Sequence, residues 1–129
     1  MILLDTHVWA WSLHAPQRLS DVTRQALADN ETRLISAVSL YEVAQKVTLG
    51  KWPEMAGHMD RAIALILEQG AQVVPVSAEI ALSAGRVDWA HSDPFDRLIA
   101  ATALEMRLVL LSADTAFDTH PAIRLRRLW

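Results

Sequence analysis

Apolar residues fall along this chain in two patterns that take turns. Short apolar runs occur at residues 2–4, 73–76 and 108–111, and Arg33-Leu34-Ile35-Ser36, with an apolar centre, is a further strand candidate. Such runs predict strands buried on both faces. Between them the apolar positions recur at helical spacing. Val8, Trp9, Trp11 and Leu13 define a helix over 6–13, and Val22, Ala26 and Leu27 define one over 21–28 behind a Ser20 cap. Leu40, Val43 and Val47 place a helix over 39–49, ended by Gly50. Further helices are predicted over 57–69, closed by Gly70, from Ser77 or Ala78 to about Val87, and from Asp93-Pro94 to Met106. Residues 123–128 offer a fifth strand, and Pro75 places the third strand at an edge. Strands alternating with helices call for a parallel sheet covered on both faces, with right-handed crossovers. The expected fold class is α/β: a three-layer α/β/α domain over 1–129 with a central, mainly parallel sheet of four or five strands.

Composition narrows the function. Of 129 residues, 52% are hydrophobic and 21% charged, which excludes a disordered chain. There is no cysteine, so a disulfide scaffold, a thiolate zinc site and a cysteine nucleophile are excluded, and a reducing compartment is expected. The net charge is -3, from 15 acids and 12 bases, so bulk charge does not hold nucleic acid and any such contact is local. The opening Met1-Ile2-Leu3-Leu4-Asp5 lacks the basic start of a signal peptide, and apolar runs such as 98–104 are short of a membrane span. A soluble, cytoplasmic protein without a membrane partner is expected.

In a parallel sheet, the C-terminal strand ends and the N-termini of the crossover helices share one edge, where ligands bind. Asp5 follows the first strand, and Glu42 lies in the first turn of the helix after the second. Asp93 and Asp96 open the helix before the fourth strand, and Asp114 comes three residues after that strand. Each acid except Asp5 has an ordinary explanation. Ser39-Leu40-Tyr41-Glu42 fits a capping box, Asp93-Pro94 a cap followed by proline, Asp96 a first-turn acid on the helix dipole, and Asp114 a cap on a short turn. Together the acids are harder to explain. Carboxylates within about 5 Å repel by roughly 3 kcal/mol per pair at an effective dielectric of 20. A cluster therefore needs protons or a cation. Oxygen ligands without cysteine suit Mg2+ or Mn2+, which bridge to substrate phosphates.

Four motifs carry a resemblance: Leu3-Leu4-Asp5-Thr6-His7; Ser36-x-x-Ser39-x-x-Glu42; Asp93-Pro94-Phe95-Asp96-Arg97-Leu98-Ile99-Ala100-Ala101-Thr102-Ala103; and Leu111-Ser112-Ala113-Asp114-x-x-Phe117. They resemble the PIN-domain ribonucleases, and within them the VapC-type toxins of bacterial toxin–antitoxin pairs. The third motif is the most specific. Ser112 departs from the more usual threonine but keeps the hydroxyl. The resemblance implies a Mg2+- or Mn2+-dependent endoribonuclease acting on structured RNA such as tRNA or ribosomal RNA. It also implies a homodimer and inhibition by a cognate antitoxin. By position, Asp5 and Asp96 bind the ion, Glu42 completes its shell or orients the attacking water, and Asp114 helps hold a second ion or position that water.

Several other residues lie near the same edge. Thr6, Ser39 and Ser112 offer hydroxyls to a carboxylate, a phosphate or a water, or act as ordinary caps. Arg97 can contact phosphate or pin a neighbouring acid, and His91-Ser92-Asp93 is a nonspecific ligand pair. The chain has no His-Glu-x-x-His signature, which argues against a zinc hydrolase. Lys46, Lys51 and Trp52 form a spot for RNA or a partner helix, or simply a solvated surface. The same choice applies to the basic run Arg124, Arg126 and Arg127. The five tryptophans suit core or dimer interface. The helices within 39–69 can offer an apolar groove to an amphipathic antitoxin segment. A receiver-like signalling module also gathers acids at strand ends but wants a late-strand lysine, and 108–118 has none. A catalytically silent binding protein of the same fold is the other alternative, and a DNA-directed nuclease stays open.

Overall fold

A computed structural model describes residues 1–122 and 125–129. The elements run β1 (Ile2–Leu4), α1 (Thr6–His14), α2 (Asp21–Asp29), β2 (Arg33–Ser36), α3 (Ala37–Thr48), a 3₁₀ segment (Pro53–Arg61), α4 (Ala62–Glu68) and β3 (Ala71–Val74). They continue with α5 (Ala78–Arg86), α6 (Pro94–Glu105), β4 (Val109–Leu111), a 3₁₀ turn (Thr115–Thr119) and β5 (Arg126–Leu128). Every strand pairing is parallel, and the order across the sheet is β3-β2-β1-β4-β5.

Side chains alternate across this sheet. Ile2, Leu4, Ile35 and Leu111 face one layer with Val8, Trp9, Val43, Met55 and Ile66. Leu3, Leu34 and Leu110 face the other with Ile99, Ala100, Ala103 and Phe117. Strands apolar on both faces are the reason for the continuous runs in the sequence. Ala100 and Ala103 leave no bulk on α6, so that helix lies close against the sheet.

Three boundaries differ from expectation. The helix expected from Ser39 begins at Ala37, because Ser36 accepts from the Val38 N–H and caps it. Glu42 consequently sits in the second turn, and the capping-box explanation for it falls. The helix expected over 57–69 is a 3₁₀ segment followed by α4, started by Pro53 rather than by Gly57. The third strand ends before Pro75, although it does lie at the sheet edge. Of the expected fifth strand, 126–128 pairs with β4, and Ile123 and Arg124 lie outside the described residues. Among the described residues no helix is long and apolar enough to cross a membrane.

Candidate active site

The strand order creates a crevice. From β1 the chain moves to β2 and β3 on one side, then crosses to β4 and β5 on the other. The reversal leaves an opening between the C-terminal ends of β1 and β4, the place where open parallel sheets bind ligands. Asp5 and Ser112 are the first residues past those two ends. The Asp5 N–H donates to the Leu111 carbonyl at 3.0 Å, so the backbone carries Asp5 directly into the opening.

Asp5 is 5% exposed, and both its oxygens accept hydrogen bonds: Oδ1 from the Thr6 N–H at 2.7 Å and Oδ2 from the Ser112 hydroxyl at 2.6 Å. The first bond makes Asp5 the cap of α1, a local role the sequence did not suggest. Burial pushes the Asp5 carboxyl above the usual carboxylate range, against the pull of those bonds and of His7, and the charge of Glu42 adds to the rise. Ser112 also accepts from the Asp114 N–H at 3.0 Å and so ties the two acids together. Thr6 and Ser39, both fully buried, join α1 to α3 through hydroxyls 2.9 Å apart.

Glu42 is buried, and Lys46 one turn later donates to it at 3.0 Å. Asp96, in the first turn of α6, lies 2.6 Å from His91 Nε2. Its carboxyl is pushed up to about 6, first by burial, with the His91 hydrogen bond opposing and the charges of Asp93, Asp5 and Asp114 adding to the rise. Charge links Asp5 to Glu42, and Asp96 to Asp5, Asp93 and Asp114. Of these acids, Asp93 and Asp96 offer ligand atoms within 4.8 Å of one another, together with His91.

Two of the expected acids also cap their own elements. Asp93 caps α6 by accepting from the N–H groups of Phe95 at 2.8 Å and Asp96 at 3.4 Å. Asp114 caps its 3₁₀ turn through Ala116 N–H at 2.8 Å. Arg97 pins no acid. Its guanidinium donates to the carbonyls of Ala84, Trp89, His91 and Val87 at 2.6–3.1 Å, which fixes the loop carrying His91. Arg97→Ala leaves those carbonyls without their donor, and hydrogen bonds to charged groups contribute about 1.5–3 kcal/mol each. Urea unfolding of that variant is therefore expected to show a loss of about 3–5 kcal/mol, and a loss under 1 kcal/mol would contradict this role.

The donor set suits a divalent cation. Asp93, Asp96 and His91 offer ligand atoms all within 4.8 Å of one another. Among the described residues, Lys46 on Glu42 is the one lysine or arginine hydrogen-bonded to the clustered acids Asp5, Glu42, Asp96 and Asp114. Carboxylate oxygens and an imidazole nitrogen, partly buried and short of compensating charge, could hold a divalent cation. His91 is the member that the sequence placed only as a nonspecific ligand; its five-residue separation from Asp96 across a loop gave no periodic signal.

The fold and this edge define a class. The chain belongs to the PIN domain family, which it matches over residues 2–122. It is similar to Ribonuclease VapC22 of Mycobacterium tuberculosis, 29% identical over 134 residues that cover 99% of this chain and 98% of the relative. Two solved structures share the fold. VapBC2 from Rickettsia felis, bound to a promoter DNA fragment, has a TM-score of 0.70 at 18% identity and covers 99% of this chain and 98% of its own. Mycobacterium tuberculosis VapC20, described as a sarcin-ricin loop cleaving toxin, has a TM-score of 0.66 at 18% identity and covers 98% of this chain and 99% of its own. A receiver-like module is not favoured by this membership.

Proposed function

We propose that this protein is a metal-dependent endoribonuclease toxin of the VapC type, hydrolysing phosphodiester bonds in RNA and neutralised by a cognate antitoxin. The carrying observation is the set of mutually repelling carboxylates, Asp5 and Asp96 foremost, at the opening between β1 and β4. In this reading Asp5 and Asp96 hold Mg2+ or Mn2+, and Glu42 and Asp114 complete the site. A bound divalent cation supplies positive charge to a phosphoryl oxygen and acidifies water. Glu42, steadied by Lys46, accepts a hydrogen bond from the attacking water and aims its oxygen at phosphorus. The new P–O bond forms as the bond to the sugar oxygen breaks in line. Ser112 and the Thr6 N–H keep Asp5 in one orientation, and His91 does so for Asp96.

We take structured RNA, tRNA or ribosomal RNA, as the substrate class, as the sequence motifs imply; the similarity to Ribonuclease VapC22 supports RNA as the polymer cut. An antitoxin partner is supported by the VapBC structures that share the fold. Tyr41 and Leu49 on and after α3, with Ile63 and Leu67 on α4, are exposed and offer an antitoxin segment apolar surface. We read the assembly as a homodimer acting in the cytoplasm. The test is cleavage of labelled total tRNA and ribosomal RNA. Cutting is expected with Mn2+ or Mg2+, arrest with EDTA, and recovery on adding back Mn2+. Undiminished cutting in EDTA would remove the metal from the proposal, and no cutting with either ion would remove the ribonuclease.

A further inference from the structure

Beside the acids, on the α1–α3 flank, lies a cavity of about 330 Å³ whose lining, Lys46 apart, the cleavage chemistry does not use. Its walls include Trp11 and His14 from α1, Arg18 just beyond, Lys46 from α3, and Lys51 and Trp52 after it. Three of the lining side chains are lysine or arginine and one, Glu54, is an acid, on a chain whose net charge is -3. The lining itself thus carries more cations than acids, with Lys46 paired to Glu42. The cations sit with the indoles: the Arg18 guanidinium lies 4.5 Å from the Trp11 ring centroid and Lys46 Nζ 5.4 Å from that of Trp52. The His7 ring packs on Trp52 at 4.9 Å. His14 Nε2 is enclosed yet has no hydrogen-bond partner among the described residues.

The cavity and the acid cluster share a wall. Lys46 lines the cavity while its ammonium donates to Glu42 at 3.0 Å, and His7 is close enough to Asp5 to lower its carboxyl pKa. An RNA with its scissile phosphate at the acids would bring a neighbouring nucleotide to this cavity. The volume is at the low end of the roughly 300–1,000 Å³ of small-molecule sites, on the scale of one nucleotide rather than of a helix. Cationic ammonium groups suit phosphate, and indole faces and guanidinium planes are the surfaces on which unpaired bases stack. A plainly solvated basic face has no reason to line a concavity with two indoles and two imidazole rings.

We propose that this cavity is a subsite for one nucleotide adjoining the scissile phosphate of the RNA. Its base stacks against the Arg18–Trp11 platform, and its flanking phosphate is drawn to Lys46 and Lys51. The proposal rests on the ribonuclease reading. Base stacking contributes about 1–3 kcal/mol per base, and each 1.4 kcal/mol is tenfold in affinity.

The test uses the full chain and a short fluorescein-labelled random-sequence RNA, followed by anisotropy in EDTA, together with KM and kcat on total tRNA in Mn2+. Arg18→Glu with Lys51→Glu, both at exposed positions, is expected to weaken RNA binding at least tenfold and raise KM while kcat stays within about threefold. Trp11→Leu, which leaves charge unchanged, is expected to raise KM about tenfold. Arg107→Glu with Arg126→Glu alters charge equally at the opposite edge, where β4 and β5 begin, and is expected to stay within twofold. Melting curves matching the parent establish that the variants are folded. Unchanged KM in the Arg18/Lys51 pair or in Trp11→Leu would overturn the subsite, as would an equal loss in the control pair, and parental cleavage would stand in each case. Loss of antitoxin binding alone, with RNA binding intact, would reassign the cavity to a protein segment. If the parent neither binds nor cuts RNA, the ribonuclease reading falls and the subsite with it.

Discussion

Asp5→Asn is expected to lower RNA cleavage about a thousandfold while the metal-free chain melts no earlier than the parent. Each 1.36 kcal/mol of lost transition-state stabilisation is tenfold in rate, and a metal site contributes several kcal/mol. Removing one charged ligand therefore costs on the order of a thousandfold. Stability behaves differently because the substitution is nearly isosteric. Asparagine caps a helix about as well as aspartate, so its Oδ1 can still accept from the Thr6 N–H. Its amide can donate to the Ser112 hydroxyl, which accepts one bond already, from Asp114 N–H. The cost is about 1 kcal/mol for replacing a charge-assisted bond by a neutral one. Against it stands relief from keeping an ionised carboxylate in a site where burial pushes its pKa up. Cleavage of total tRNA in Mn2+ and thermal melting in EDTA check the two halves. Parental cleavage would take Asp5 out of the site. Melting ten degrees below the parent would make it chiefly a structural cap of α1.

The two halves of this expectation were unequally legible in the sequence. The run Leu3-Leu4-Asp5 announces a strand that ends in an acid, because strands buried on both faces need continuous apolar residues and admit a carboxylate only where they leave the core. The order of alternating elements then fixed which edge that acid reaches. The cap bond to Thr6 was not legible: its donor is the adjacent residue, and sequence patterns for caps look two or three residues ahead. Ser36 was overlooked as the cap of α3 for a related reason. It is the last strand residue and the first helix neighbour at once, and Ser39, three positions before Glu42, imitated a capping box. Lys46 opposite Glu42 is an ordinary i,i+4 pair that the spacing does carry. The His91–Asp96 contact and the four carbonyls held by Arg97 depend on the path of an irregular loop, which no periodicity encodes. The residues that bear charge into the opening can thus be read from the chain, whereas those that hold them still are mostly a product of packing.

Asp96→Asn carries the same argument into pH. Cleavage is expected to fall about a thousandfold, as for Asp5. The metal-free chain should also change its response to pH. Burial raises the Asp96 carboxyl from 3.8 to about 6, so the folded chain holds that proton more tightly than the unfolded chain does. Its contribution to stability is complete below about pH 4 and is lost as pH rises through 6. At 1.36 kcal/mol per unit the loss is about 3 kcal/mol, roughly 10 °C in melting temperature for a domain of this size. Asp96 is shielded enough to keep most of that value, its side chain being 14% exposed. His120 works the other way, since burial and Arg97 lower its pKa and the stability it contributes fades as pH falls. It is present in both proteins and cancels when their curves are subtracted. The difference reports Asp96 together with the groups tied to it, His91 through its hydrogen bond and Asp93, Asp5 and Asp114 through their charges. In EDTA the parent is therefore expected to lose roughly 10 °C relative to Asp96→Asn between pH 4 and pH 7. Adding Mn2+ at pH 7 should restore the parent, because a ligand that binds only the folded state stabilises it, and should leave the variant nearly unmoved. Parallel curves in EDTA would mean that Asp96 ionises at no cost in the folded chain, and the electrostatic case for a cation at this edge would then be lost.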